Sequence, residues 1–66
     1  MIPCIGDVWQ VAYGGKQNLV LVTHVTGERW EDASVDYQVL SGNGQGQTGW
    51  LRLAESERWR WRKFTD

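Results

Sequence analysis

The residues best suited to chemistry lie near the C-terminal end, where arginine alternates with tryptophan from position 58 to position 62. Guanidinium groups bind phosphate bidentately, and indole rings stack on nucleobases. On a strand, the arginines of this segment would share one face and the two tryptophans the other. Another tryptophan–arginine pair could join from a neighbouring strand. The predicted ligand-binding side chains are therefore Trp50, Arg52, Arg58, Arg60 and Arg62.

Two other interpretations of this segment stay open. The tryptophans could fill the core while the arginines form a solvated edge that discourages strand addition. The arginines could also pair with the acidic part of a second copy. Residues 1–51 carry a net charge of −3 and residues 52–66 a net charge of +2, so the total of −1 hides a polarised chain.

A glycine-rich segment, residues 42–49, precedes the first of these tryptophans. It matches G-x-G-x-x-G, but a dinucleotide fingerprint needs a following helix, and a Walker loop needs Gly-Lys-Ser/Thr. Here Gly49 is followed by Trp50. We therefore interpret the segment as a long hairpin loop. Backbone N–H groups at Gly44 and Gly46 could contact an anionic ligand.

The sequence contains few residues that could carry out catalysis or bind a metal ion. His24 is the only imidazole and Cys4 the only thiol. Nucleophilic catalysis needs a nucleophile, a base and an orienting group, and a structural zinc needs about four Cys or His ligands. The acidic residues between positions 28 and 36 lack calcium-loop spacing. We predict no enzyme, no metal and no cofactor.

The sequence also predicts where in the cell the protein is found. No apolar run approaches the ~20 residues of a membrane span, so no membrane association is expected. The free Cys4 thiol and the short apolar start, residues 1–5, predict a cytoplasmic location.

Alternating apolar and polar residues predict five short strands that position these groups. Two glycine-containing loops, residues 14–18 and 42–49, separate them, and a helical or 3₁₀ turn spans residues 54–57. A helix over residues 50–64 is the competing interpretation, because an apolar stripe also recurs there at helical spacing. The predicted strands are Asp7–Tyr13, Leu19–Thr26, Ser34–Ser41, Trp50–Leu53 and Arg58–Phe64.

The chain is one domain, residues 1–66, with 41% hydrophobic and 23% charged residues. So small a core usually needs disulfides, a metal or a partner. A single cysteine excludes an internal disulfide. We therefore expect the five tryptophans to fill the core. We also expect self-association into a homo-oligomer through strands that are apolar on both faces.

The opening Gly6-Asp7-Val8-Trp9, together with the turn before the last strand, resembles the SH3-like β-barrel family. Small SH3-like proteins of bacteriophages and prophages look most similar, with the same opening and a late tryptophan–arginine strand. The resemblance implies an all-β, five-stranded barrel and a phage or prophage source. PemK-type toxin ribonucleases share the opening but follow it with Arg-Arg-Pro, whereas residues 14–18 here read Gly-Gly-Lys-Gln-Asn.

These observations predict a non-catalytic module that binds or sequesters a nucleotide-like or other phosphate-bearing ligand. A pI near 5.7 is too acidic for a typical duplex binder. The alternative is a protein–protein adaptor or inhibitor that docks on a host protein, since Trp, Tyr and Arg are also enriched in interface hot spots. A structural virion component is a third possibility.

Overall fold

A computed structural model describes residues 2–42 and 44–64. They form a single antiparallel sheet in the order β4-β3-β2-β1-β5, which confirms the all-β class. The sheet is open, so closure into a barrel remains a proposal. In the described residues no helix has the length and apolar character needed to cross a membrane. The elements are β1 (Val8–Tyr13), β2 (Lys16–Thr26), β3 (Ser34–Ser41), β4 (Thr48–Arg52), a 3₁₀ turn (Leu53–Ser56) and β5 (Arg60–Lys63).

The turn between β1 and β2 is shorter than the predicted loop over residues 14–18. Gly14 and Gly15 have φ values of +56° and +79°, the left-handed backbone that a tight two-residue hairpin turn requires. Tyr13 therefore pairs directly with Lys16, and β2 begins three residues earlier than predicted. Asn18 consequently lies inside the sheet, where it is buried.

The long strand β2 gives the sheet its curvature. It pairs with β1 from Lys16 to Leu21 and with β3 from Leu19 to Thr26. The register with β3 shifts twice, which leaves Leu40 of β3 and Thr23 of β2 without a directly opposed residue. Such bulges bend a strand and increase its twist. The inner faces of the strands therefore converge on one core.

The core follows the alternation predicted for the first three strands. Every second residue of β1, β2 and β3 points inward, while Leu19 and Leu21 of β2 lie half-buried on the opposite face. Two residues from the connections, Ala33 and Leu53, complete the cluster. The buried apolar side chains are Trp9, Val11, Val20, Val22, Ala33, Val35, Val39 and Leu53.

The C-terminal part is strand–turn–strand, and the competing long helix over residues 50–64 is wrong. β4 begins at Thr48, the 3₁₀ turn starts one residue earlier than predicted, and β5 is shorter than the predicted strand, residues 58–64. The backbone N–H of Trp59 donates to the carbonyl of Ser56 at 2.9 Å. The chain is therefore still turning at Arg58 and Trp59, which lie before β5.

The Gly-Asp opening ties the N-terminal segment to both neighbouring strands. The Oδ2 atom of Asp7 accepts from the Cys4 amide at 2.9 Å and from Nε1 of Trp9 at 3.3 Å. Its Oδ1 atom lies 3.8 Å from Nζ of Lys63. One carboxylate thus orients a core tryptophan and faces the end of β5.

Candidate ligand-binding cavity

A cavity of about 130 Å³ opens on the inner face of the curled sheet. Its floor consists of buried valines from the first three strands, Val11, Val20 and Val39. Leu51 of β4 and Trp61 of β5 line it from the two ends of the sheet order. The curvature therefore brings the two edge strands to one site, although they do not pair with each other.

Aromatic rings make one wall of the cavity. Tyr13 stacks on Trp59 with centroids 4.5 Å apart and ring planes 19° apart. Trp59 is nearly parallel to Trp61, at 6.5 Å and 18°. Trp61 also meets Trp9 and Trp30 edge to face, with centroids 6.0 and 6.1 Å away. Trp61 is thus fixed by rings on several sides, while Tyr13 and Trp59 form the outer layer.

The 3₁₀ turn holds the orientation of the Trp61 indole. Nε1 of Trp61 donates to Oγ of Ser56 at 3.0 Å, and that hydroxyl donates to the carbonyl of Leu53 at 2.8 Å. Ser56 is only 1% exposed. In β5, Trp61 pairs with Val11 of β1. Backbone register and side-chain hydrogen bonding therefore act together on this ring.

Tyr37 supplies a hydroxyl to the cavity. In the register of β3 with β4, Tyr37 lies opposite Gly49. A Cβ atom at position 49 would lie 2.5 Å from the Tyr37 hydroxyl and 2.6 Å from Cζ. Burial, and then the neighbouring Tyr13, raise the pKa of the Tyr37 phenol, which keeps it neutral. The ring is held where glycine leaves room for it.

Two residues with amide side chains also line the cavity. Asn18 is 6% exposed and lines the cavity together with Gln47. Its amide oxygen occupies the space that a Cβ atom at Gly42 would fill. The site therefore combines flat aromatic walls with uncharged hydroxyl and amide groups, an arrangement suited to a planar ring that carries polar atoms.

All three predicted arginines of the segment from position 58 to position 62 are exposed. Arg58 lies in the turn before β5. Arg60 and Arg62 lie in β5 opposite Ala12 and Gln10 of β1, on the face of the strand opposite Trp61 and the cavity. Sequence reasoning placed Trp59 and Trp61 together on the face opposite the arginines but did not include them among the predicted binding residues.

Two further aromatic residues of the cavity were not predicted as site residues either. Tyr13 and Tyr37 stand on the inward-facing phase of their strands, together with the core valines. That alternation is the signal that could have identified them.

Trp50 and Arg52 do not neighbour the β5 arginines. β4 pairs with β3 and β5 pairs with β1, at opposite ends of the sheet order, so the expected neighbouring-strand arrangement is wrong. The Trp50 side chain is 57% exposed, and Cζ of Arg52 lies 5.9 Å from its ring centroid. Both lie on the face opposite Leu51, so they form a separate exposed pair.

The glycine loop is hydrogen-bonded to itself and to β3. The N–H of Gly46 donates to the Val39 carbonyl at 2.8 Å, and the N–H of Gln47 donates to the Gly44 carbonyl at 2.9 Å. The Gly46 amide is therefore engaged within the protein, which argues against the anion contact predicted for it. A ligand role for Gly44 stays a prediction.

Within residues 2–42 and 44–64, no three His, Cys, Asp or Glu side chains come together in a group that could hold a metal ion. His24 is exposed and pairs with Asp36 on the outward face, away from the cavity.

No protein-family model, curated protein or solved structure matches this chain. The function is therefore argued from the cavity and the groups around it.

Proposed function

We propose that the protein is a non-catalytic binding module for a nucleotide-like ligand, with the base in the aromatic cavity and the phosphate near Arg58 and Lys16. One observation carries the proposal. The indoles of Trp59 and Trp61 line the cavity, and two exposed cations lie next to lining residues, Arg58 before Trp59 in the chain and Lys16 opposite Tyr13. Base stacking on such rings contributes about 1–3 kcal/mol per base.

The distribution of charge supports the phosphate position. The cavity lining is uncharged, and two cations lie next to lining residues: Arg58 precedes Trp59 in the chain, and Lys16 pairs with Tyr13. Guanidinium groups form charge-assisted, often bidentate bonds to phosphate. A single nucleotide requires far fewer cations than a duplex backbone, which suits a chain with a pI near 5.7.

The SH3-like barrel is the architecture we propose for this module. Its support is the curled five-stranded sheet with a 3₁₀ turn before the last strand. The two edge strands face a common cavity, as they would in a barrel. The phage source and the cytoplasmic location remain predictions from the sequence.

Calorimetric titration with nucleoside monophosphates tests the proposal. We expect measurable heat that weakens with added salt, and a loss of about 5- to 150-fold in affinity for Trp59→Ala. Arg58→Ala and Lys16→Ala are expected to weaken binding and to flatten its salt dependence. Arg52→Ala is the matched control, because Arg52 lies beside Trp50 on β4. No heat with any nucleotide would overturn the proposal.

A protein adaptor or inhibitor is the second candidate function, and the exposed Trp50–Arg52 pair favours it. A 57% exposed indole beside an arginine has the composition of an interface hot spot. If this function is correct, Trp50→Ala abolishes binding of a host protein in a pull-down, while Trp59→Ala retains it. The opposite pattern, or retention by both variants, would exclude this pair as the docking site.

A further inference from the structure

We infer that the cavity selects a single six-membered heteroaromatic ring, so that its ligand is a pyrimidine nucleotide rather than a purine nucleotide; this inference rests on the proposed function. The grounds are the volume of the cavity, the rigidity of its floor, the orientation of its rings and the polar groups on its wall.

The volume of the cavity suits one six-membered ring. The cavity holds about 130 Å³. An engineered protein cavity of about 150 Å³ accommodates benzene, so this one is close to the size of one six-membered ring. A purine adds a fused five-membered ring. It would have to push the walls apart or remain partly outside.

The floor of the cavity resists such expansion. Val11, Val20 and Val39 are almost fully buried and belong to the three strands at the centre of the sheet order. Forcing additional atoms against a packed core costs typically about 1–3 kcal/mol, which corresponds to about 5- to 150-fold in affinity.

The orientation of the rings favours a flat ligand. Trp59 and Trp61 lie within 18° of parallel, and Tyr13 lies within 19° of Trp59. Rings of one orientation make this wall flat. A planar ring fits against a flat wall more closely than a bulky aliphatic group does.

Polar residues in the lining favour a ring with heteroatoms over a hydrocarbon. Tyr37, Asn18 and Gln47, which carry hydroxyl and amide groups, line the cavity. The Tyr37 ring is packed against Gly49, so its hydroxyl is in place before any ligand arrives. A site with fixed polar groups discriminates against a ring that offers them nothing.

The test is a titration with uridine, cytidine, adenosine and guanosine monophosphates, with ribose 5-phosphate as a control that lacks a base. Calorimetry or tryptophan fluorescence reports the affinities. We expect both pyrimidines to bind about tenfold or more tighter than both purines, and ribose 5-phosphate to bind weakest. Purines that bind equally well or better would overturn this inference and leave the proposed function standing. Ribose 5-phosphate that matches the pyrimidines would overturn both, because the base would then contribute nothing to binding. Failure of every nucleotide would overturn both.

Enlarging the cavity gives a second, independent measurement. Leu51→Ala removes side-chain volume from the wall and is expected to shift the ratio of purine to pyrimidine affinity toward purines. Leu51→Val, a smaller change, is measured as well in case the alanine variant does not fold. Leu40→Ala is the matched control, because this exposed leucine lies at the bulge outside the cavity. An unchanged ratio in a folded Leu51 variant would contradict the inference.

Discussion

A hydrogen atom in place of a side chain at Gly49 lets the Tyr37 ring lie across β4. In most strands alanine is favoured over glycine by about 0.5–1 kcal/mol. Here Gly49→Ala is expected to reverse that sign and destabilise the fold by about 1–3 kcal/mol, because the new methyl group overlaps the tyrosine ring. Urea unfolding measures the difference. In a Tyr37→Ala background the same change is expected to stabilise, and destabilisation there would contradict this explanation.

Tyr37 also sets a pH limit on stability. Burial, and then Tyr13, raise its pKa in the folded protein. In the unfolded chain it ionises near pH 10. Above that pH the folded state binds more protons than the unfolded state. The contribution of Tyr37 to the free energy of unfolding is therefore fully present below about pH 10 and is lost as the pH rises further.

Urea unfolding at pH 8 and pH 11 is expected to show this fall, and Tyr37→Phe is expected to reduce it. Tyr13→Phe removes only the smaller of the two causes and should retain most of it. An undiminished fall in Tyr37→Phe would assign the effect to other groups.

At this scale the sequence identified the faces but not the contacts. The alternation of Val35, Tyr37 and Val39 predicted that these residues point the same way, and they do. That Tyr37 needs glycine at position 49 depends on the register of β3 with β4. Register between strands joined by a long loop is set by packing, and no local pattern specifies it.

The 3₁₀ turn between the two edge strands contacts β5 through one hydroxyl, that of Ser56. Ser56→Ala would leave the Nε1–H group of Trp61 without its acceptor in a half-buried site, so we expect a loss of about 1–3 kcal/mol. Thermal unfolding measures the loss. Ser34→Ala is the control, because Ser34 begins β3 opposite Thr26 and Arg52 and does not line the cavity. A Ser56→Ala variant as stable as the wild type would mean that ring packing alone positions Trp61.

At the scale of elements, the strands were easier to predict than their ends. The β-branched and alternating segments identified all five strands, because those patterns are local. The errors fell at the Gly14–Gly15 turn and at Arg58–Trp59. In both places the backbone conformation is decided by the neighbouring structure, since β2 must pair with β1 and Trp59 must stack on Tyr13.

Apolar and charged residues are unevenly distributed over the whole molecule. Leu19 and Leu21 lie half-buried on the face of β2 opposite the core, and the C-terminal segment is basic while the rest of the chain is acidic. We expect the protein to self-associate at micromolar concentrations, and Leu21→Gln to weaken that association. Sedimentation velocity tests it, with Thr23→Gln as the control on an exposed position of the same strand. A 7.6 kDa monomer at every concentration would contradict this expectation.

The cavity itself exists only at the scale of the whole molecule. Its walls come from all of the strands, and its two ends are Leu51 of β4 and Trp61 of β5. The sequence predicted which residues point inward, but not that the bulged β2 would curl the sheet enough to bring the edge strands to one site. Closure of this kind depends on pairing between distant parts of the chain.

The pairing of β1 with β5 has a consequence for kinetics. Ala12 pairs with Arg60, so most of the chain lies between the two partners, whereas the other pairings join consecutive strands. Contacts that close long loops carry the largest entropic cost and tend to form late in folding. Since Trp61 reaches the cavity only when β5 docks, the site of the proposed ligand is expected to be complete only late in folding. Bound ligand is therefore expected to slow unfolding and to leave the folding rate unchanged.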